Sequence, residues 1–485
     1  MKHKKLLFFY SIIGLSLSLI TACKNHVTSA NIFELLDKQY AFSSSLNTYA
    51  VTYQYTGLNP YQSHDYKHPE HKINGYGTYT IELDKNKQEY FTHDRSQFPG
   101  NYIFEFKHFK HQDKAISYDV NKVIRGNALR TLGANAYEVQ AKRTENVLDF
   151  EQVASLLKYH KEDKPITVII NKDKNEAVIT VVVSDKITNT YTFNTNSLSL
   201  TRLESTEDNS IVNFKNNVIL NKVPYAKNLQ VFKSDKLSAN IIIKKVVKTN
   251  GIAKEKYNIP KEYALPKSID NVAPMVRNIA KNIFLINVAN NSRFIVCKVV
   301  DKHLVVFGAP RSDEISKQVI QLLSNKFPNK TIKSVFVSHP HSDHISGLRA
   351  YAKLGATILA DDYTKQAILD FPDFEKEATN FKFEVISHKK KLDGVRYYVL
   401  KNDHSLKQSF AYFEKAQLIY EGDFLEIPAD NTIATHLSNV EKQFIEFIKK
   451  ENLVIRRVVQ HHRNPNVSMA TINAYYQDNT LNTSN

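Results

Sequence analysis

Cysteine is scarce in this chain: only Cys23 and Cys297 occur in 485 residues. That excludes a disulfide framework, and a protein of this length does not need one, since its cores can be large. Cys297 lies in the strand-like run Phe294 to Val300 and reads as a packed core residue rather than a ligand or nucleophile. The leading apolar run, Leu6 to Ile20, is too short for an ordinary membrane span. No internal repeat is present. Acidic residues are in deficit, with Asp+Glu 49 against Lys+Arg 65 and a net charge of +16. The length points to at least two domains.

The amino terminus sets the compartment. Met1 to Lys5 is basic, and Leu6 to Ile20 has the length of a signal h-region. The segment ends in Leu19-Ile20-Thr21-Ala22-Cys23, which resembles a bacterial lipobox. The resemblance implies cleavage after residue 22 and lipidation of Cys23, and acyl chains anchor a protein by about 0.8 kcal/mol per buried CH₂. The mature protein is then expected in the cell envelope, facing outside the cytoplasm. In a Gram-negative cell, Lys24 leans the assignment to the periplasmic face of the outer membrane. Export, with no aromatic–basic RNA signature, sets nucleic acid aside as a partner. The excess of Lys reads as a solvated surface that also favours anionic headgroups. The expected partners are the membrane, through the lipid anchor, and a small-molecule substrate.

Histidine is concentrated. Ser338-His339-Pro340-His341-Ser342-Asp343-His344 reads H-x-H-x-D-H, between a strand-like run (Ile332 to Val337) and a helix-like one (Ile345 to Leu354). A strand-to-helix turn lets imidazoles and a carboxylate converge, and that donor mixture suits Zn²⁺, less selectively Fe, Mn or Ni. The arrangement resembles the signature of the metallo-β-lactamase fold superfamily, followable from about Ile283 to Tyr476. The resemblance implies an αββα sandwich with two metals at one edge. His339 and His341 would be ligands of the first metal, and Asp343 and His344 of the second. The remaining ligands are expected at strand ends. His404 follows Val395 to Leu400, Asp423 follows Ala416 to Glu421 and would bridge both metals, and His461 follows Val454 to Val459. His462 is the alternative to His461, because adjacent histidines leave the register open by one residue. Gly308 departs from the pattern, standing where an acidic residue commonly braces the metal loop.

The expected fold class is α+β. A β-rich amino-terminal region (residues 23–265), with Asn-, Asp- and Lys-rich turns between alternating runs, argues an antiparallel sheet. Its later part, Asn194 to Tyr263, resembles bacterial lipoprotein-carrier-like half-barrels, and Val147 to His160 is its clearest helical insert. The boundary is expected at Pro260 to Pro274. The metal-binding domain follows at 275–478, and residues 479–485 form a polar tail. The resemblance implies a lipid-anchored hydrolase with two Zn²⁺ ions, in which a metal-bridging hydroxide attacks an ester, thioester, lactone, amide or phosphoester. Asp343 would orient the nucleophile or shuttle its proton. His341 stands where the iron-dependent electron-transfer branch generally carries an acid, which favours zinc. A lipid-anchored binding or carrier protein with a degenerate metal domain is the alternative, and Gly308 is the feature behind it.

Overall fold

A computed structural model describes residues 26–220, 223–266 and 272–481. The expected signal segment, Cys23, part of the expected boundary and the end of the tail lie outside the described residues. Among the described residues, no helix is long and apolar enough to cross a membrane.

The amino-terminal region forms a 13-stranded antiparallel sheet, as its alternating runs lead one to expect. Its first strand, Thr48–Gly57, pairs with its last, Lys236–Lys248, in the middle of the sheet. Alternation sorts the faces: Tyr49, Val51 and Tyr53 are buried, while Thr48, Ala50 and Thr52 between them are less so. The buried face packs on helices Ile32–Ser44 and Asp149–Lys161, through Leu36, Tyr40, Val153 and Leu156. One helical insert was expected and is found as Asp149–Lys161. Two further helices, Ile32–Ser44 and Ala136–Glu145, were not expected. Ile32, Leu36 and Tyr40 do recur at four-residue spacing, but only a single short apolar stripe marks that helix.

The carboxy-terminal region holds a 7-stranded and a 5-stranded sheet. In the first, four antiparallel strands ending in His303–Phe307 lead into parallel Thr331–Phe336, Thr357–Ala360 and Lys382–Val385. The second runs Lys391–Leu392, Val395–Leu400, Gln408–Phe413, Leu418–Glu421 and Arg457–Gln460. Strands buried on both faces divide their side chains between two cores. Val305, Phe307 and Phe336 meet Tyr397, Ala411 and Tyr420 between the sheets. Val306 and Val335 turn outward to Val319 and Leu323 of helix Asp313–Lys326. Ile419 and Val458 turn the other way, to Phe444 and Ile472 of the helices Asn439–Lys450 and Met469–Leu481. The result is two sheets back to back with helices outside. Cys297 is fully buried, and burial pushes its thiol up, as a core residue requires.

Helix Asn439–Lys450 starts in a capping box, in which the Ser438 hydroxyl serves the Glu441 N–H and the Glu441 carboxylate accepts from the Ser438 N–H. The buried carboxylate also accepts from the Tyr475 hydroxyl. Ser438→Ala should therefore lower stability by about 1 kcal/mol in a urea titration.

Two loops of the 13-stranded sheet leave it and dock on the carboxy-terminal sheets. In the first, Tyr61 packs its ring 4.5 Å from Phe371 and donates to the Ala367 carbonyl at 3.2 Å, while Tyr66 donates to Asp370 at 2.6 Å. The second is the turn between Glu89–Phe98 and Tyr102–His111. There the Gly100 carbonyl accepts from Val440 N–H, and the Asn101 carbonyl lies 3.0 Å from His436 Nε2.

Candidate metal centre

Thr331–Phe336, Val395–Leu400, Leu418–Glu421 and Arg457–Gln460 all deliver chemistry-bearing residues from their carboxyl ends, at one edge of the two sheets. The Ser409 N–H donates to the Ser338 carbonyl at 2.7 Å and ties the two sheets together there. His341 is the residue before the short helix Ser342–Ile345, so the turn foreseen between strand and helix is present.

Two groups form around Asp423, whose backbone is left-handed at φ 63°. In the first, His339 Nε2 and His404 Nε2 face each other at 3.2 Å and lie 3.6 and 3.4 Å from Asp423 Oδ2. His341 lies edge-on beside them, its ring centroid 4.5 Å from each of the other two. In the second, His344 Nε2 and His462 Nε2 are 3.0 Å apart and lie 3.2 and 3.0 Å from Asp423 Oδ1. Asp343 Oδ2 completes this group, 3.3 Å from His462 and 3.8 Å from His344. One carboxylate thus presents one oxygen to each group.

His461 was expected in the second group and clusters there with His344 and His462; of the two adjacent histidines, the one that meets both carboxylates is His462, the alternative. The pleat explains why. The His461 N–H donates to the Glu421 carbonyl and its carbonyl accepts from Phe294 N–H, so His461 continues the strand. It falls on the same face as Val459, which points into the core between the sheets. There its Nδ1 lies 2.8 Å from the Tyr420 hydroxyl. A ring nitrogen of His461 lies within 4.8 Å of those of His344 and His462, and its buried Nε2 has no hydrogen-bond partner among the described residues.

The Tyr420–His461 pair also accounts for Gly308. This glycine has φ +108°, and a Cβ there would stand 2.3 Å from the Tyr420 hydroxyl and 3.1 Å from His461 Nδ1. The space is occupied by a tyrosine and a histidine rather than left empty. Gly308→Asp should therefore destabilise the fold by about 1–3 kcal/mol or more in urea unfolding, through overpacking and a strained φ.

The outer contacts fix which nitrogens remain free. His341 Nε2 lies 3.1 Å from the Ser63 carbonyl and His404 Nδ1 lies 3.2 Å from the Pro99 carbonyl. A carbonyl only accepts, so each of these nitrogens carries the proton, and His341 Nδ1 and His404 Nε2 are left bare. His339 Nδ1 lies 3.0 Å from the Ser338 hydroxyl. Gln62 donates to Asp343 Oδ1 at 3.1 Å, and the Tyr102 hydroxyl donates to the Asp423 carbonyl at 3.0 Å. Arg293, almost buried, places its guanidinium 3.5 Å from Asp343 Oδ2. None of Gln62, Ser63, Pro99, Tyr102, Arg293 and Tyr420 was foreseen. All act through the fold, and no local pattern marks them.

Electrostatics prepares the donors. Burial, reinforced by the neighbouring imidazoles, holds His339 and His461 well below the usual histidine range and takes His341 down to about 3. Burial takes His462 to about 4 against the pull of Asp423. His344 goes the other way: burial works downward, but Asp423 and Asp343 raise it. Burial pushes the Asp423 and Asp343 carboxyls up, yet His344 and His462 hold both below the ordinary value. Neutral imidazoles and ionised carboxylates are the ligand forms, which burial favours at His339, His341, His461 and His462 and the two carboxylates oppose at His344. Asp423 Oδ1, buried among nitrogens at contact distance, receives no well-aligned hydrogen bond from the described residues. A buried carboxylate oxygen left without a hydrogen bond among imidazole nitrogens is what a cation between the groups would resolve. The donor set of imidazoles and carboxylates fits zinc. The side chains of His339, His341, His404 and Asp423 could hold one ion, and His344, His461 and His462 a second, with Asp343 and Asp423 beside His344 and His462.

A sequence model of the metallo-beta-lactamase superfamily matches residues 305–360, which span the strand His303–Phe307 from Val305 and the whole H-x-H-x-D-H turn. Among solved structures, the chain is similar to a metallo beta lactamase from Hirschia baltica, at 11% identity over 42% of this chain and 97% of that one, with a TM-score of 0.33. It is similar also to the metallo-beta-lactamase FIM-1 from Pseudomonas aeruginosa in its mono-zinc form, at 12% identity over 43% and 95%, with a TM-score of 0.33. A third is a metallo-beta-lactamase from Pontibacter korlensis, at 11% identity over 42% and 99%, again at 0.33. Comparison with curated proteins finds no match.

Proposed function

We propose that this chain is a lipid-anchored, exported metallohydrolase of the metallo-β-lactamase superfamily that works with two zinc ions. The observation that carries the reading is Asp423, set between two histidine groups with one carboxylate oxygen toward each. Bound zinc would supply Lewis acidity and a water acidified towards neutral pH. The protein's own residues do the rest. His339, His341 and His404 form one face of the site, with burial favouring the neutral ring of His339 and His341. Asp343 is the most open member, its side chain 26% exposed. Its Oδ1 is held by Gln62, and its Oδ2 faces His462. An ionised carboxylate so placed can orient the attacking water by accepting its hydrogen bond. The bond cleaved is an ester, thioester, lactone, amide or phosphoester of a small molecule. The test is turnover of a panel of chromogenic substrates covering these bonds. Chelation should abolish hydrolysis and zinc should restore it; zinc-loaded protein inert on the whole panel would favour the binding-protein alternative. Gly308 no longer speaks for that alternative, because Tyr420 and His461 fill the space beside it.

Anchoring through Cys23 belongs to the same proposal. The mature protein should fractionate with membranes and enter the detergent phase, and Cys23→Ser should leave it soluble or unprocessed. Continued membrane association of a cleaved Cys23→Ser protein would contradict the anchor.

A further inference from the structure

The two loops that cross from the 13-stranded sheet do not merely rest on the carboxy-terminal sheets. We infer that the amino-terminal sheet is a working part of the metal centre, its loops at 59–66 and 98–102 positioning the ligands of both groups. The inference rests on the metallohydrolase reading and goes beyond it, since ligand-bearing sheets alone would then be an incomplete site.

The loop at 59–66 reaches the site with two groups. Its Ser63 carbonyl accepts from the His341 Nε2–H and so turns Nδ1 inward. Its Gln62 amide donates to Asp343 Oδ1 at 3.1 Å and lies 3.2 Å from the Ser342 hydroxyl, leaving Oδ2 for the second group. The loop is built to hold that pose. Tyr61 N–H donates to Asn59 Oδ1, the Ser63 hydroxyl donates to the Asn59 carbonyl, and Tyr61 and Tyr66 are buried in the core beneath the metal turn. His64 Nε2 lies 3.0 Å from the Asn402 carbonyl, beside the ligand His404.

The turn at 98–102 serves the other side. The Pro99 carbonyl fixes the His404 tautomer, and the Tyr102 hydroxyl holds the backbone of the bridging Asp423. The next residue, Gly100, permits the approach. It has φ +85°, and a Cβ there would lie 2.9 Å from Val440 Cγ1 and 3.3 Å from His404 Cβ. Four of the metal-facing residues, His341, Asp343, His404 and Asp423, thus owe an orienting contact to a sheet that carries no ligand. Outer contacts of this kind fix ring orientation and basicity, and losing one typically costs 10–100-fold in metal affinity.

The test is stepwise zinc and cobalt(II) affinity, by chelator competition, on the full chain. Gln62→Met keeps the volume and removes the donor. It should weaken one binding step about 10–100-fold and leave the other within about twofold. Gly100→Val should weaken a binding step by a similar factor through His404, and Tyr102→Phe, the mildest change, should weaken both steps through Asp423. Circular dichroism of the metal-free proteins should match the wild type for Gln62→Met and Tyr102→Phe, which keeps the test alive if Gly100→Val folds poorly. Wild-type protein that takes two ions, with Gln62→Met and Tyr102→Phe binding both as tightly, would overturn this inference and spare the metal centre. Wild-type protein that takes none would overturn the metallohydrolase reading itself.

Discussion

Asp423→Ala should empty both metal positions, not one. Its Oδ2 lies within 3.6 Å of His339 and His404, and its Oδ1 within 3.2 Å of His344 and His462. Removing it strips the shared anion from a cluster of six buried imidazoles and leaves the remaining donors short of neutralising charge. Elemental analysis should show occupancy falling at both sites, and hydrolysis should drop by several orders of magnitude, as for loss of a group used in every turnover. Loss of a single ion, with the other retained at full affinity, would mean that Asp423 belongs to one group only.

The second large effect is a contrast between neighbours. His462→Ala removes the imidazole 3.0 Å from Asp423 and 3.3 Å from Asp343 and should chiefly empty the second position. His461→Ala removes a ring that faces Tyr420 and should act mainly on folding. It leaves a buried hydroxyl unpaired, about 1–3 kcal/mol, with a cavity term besides. Metal content should therefore fall in His462→Ala and be largely kept in His461→Ala, while the urea midpoint falls more in His461→Ala. The opposite pattern would restore His461 as the ligand.

That contrast shows where the sequence stopped being informative. His339, His341, Asp343 and His344 were legible because one turn holds them, and His404 and Asp423 because each comes within four residues of the end of a strand-like run. The last histidine was not, because a one-residue shift along a strand exchanges its two faces. Only the ladder contacts of His461 with Glu421 and Phe294 reveal which face it takes. Gly308 looked like a missing brace because the residues that fill its space, Tyr420 and His461, lie far along the chain. The antiparallel sheet was legible from alternation. Its reach into the site was not: Gln62 and Asp343 are 281 residues apart, and nothing local to either announces the other.

The central claim is that these side chains form a centre for two metal ions. The most direct measurement is the metal content of full-length protein prepared with ample zinc and freed of loosely bound ions. The account predicts close to two zinc ions per chain, removed by chelator together with hydrolysis. Protein that is folded and carries no metal under those conditions would contradict it.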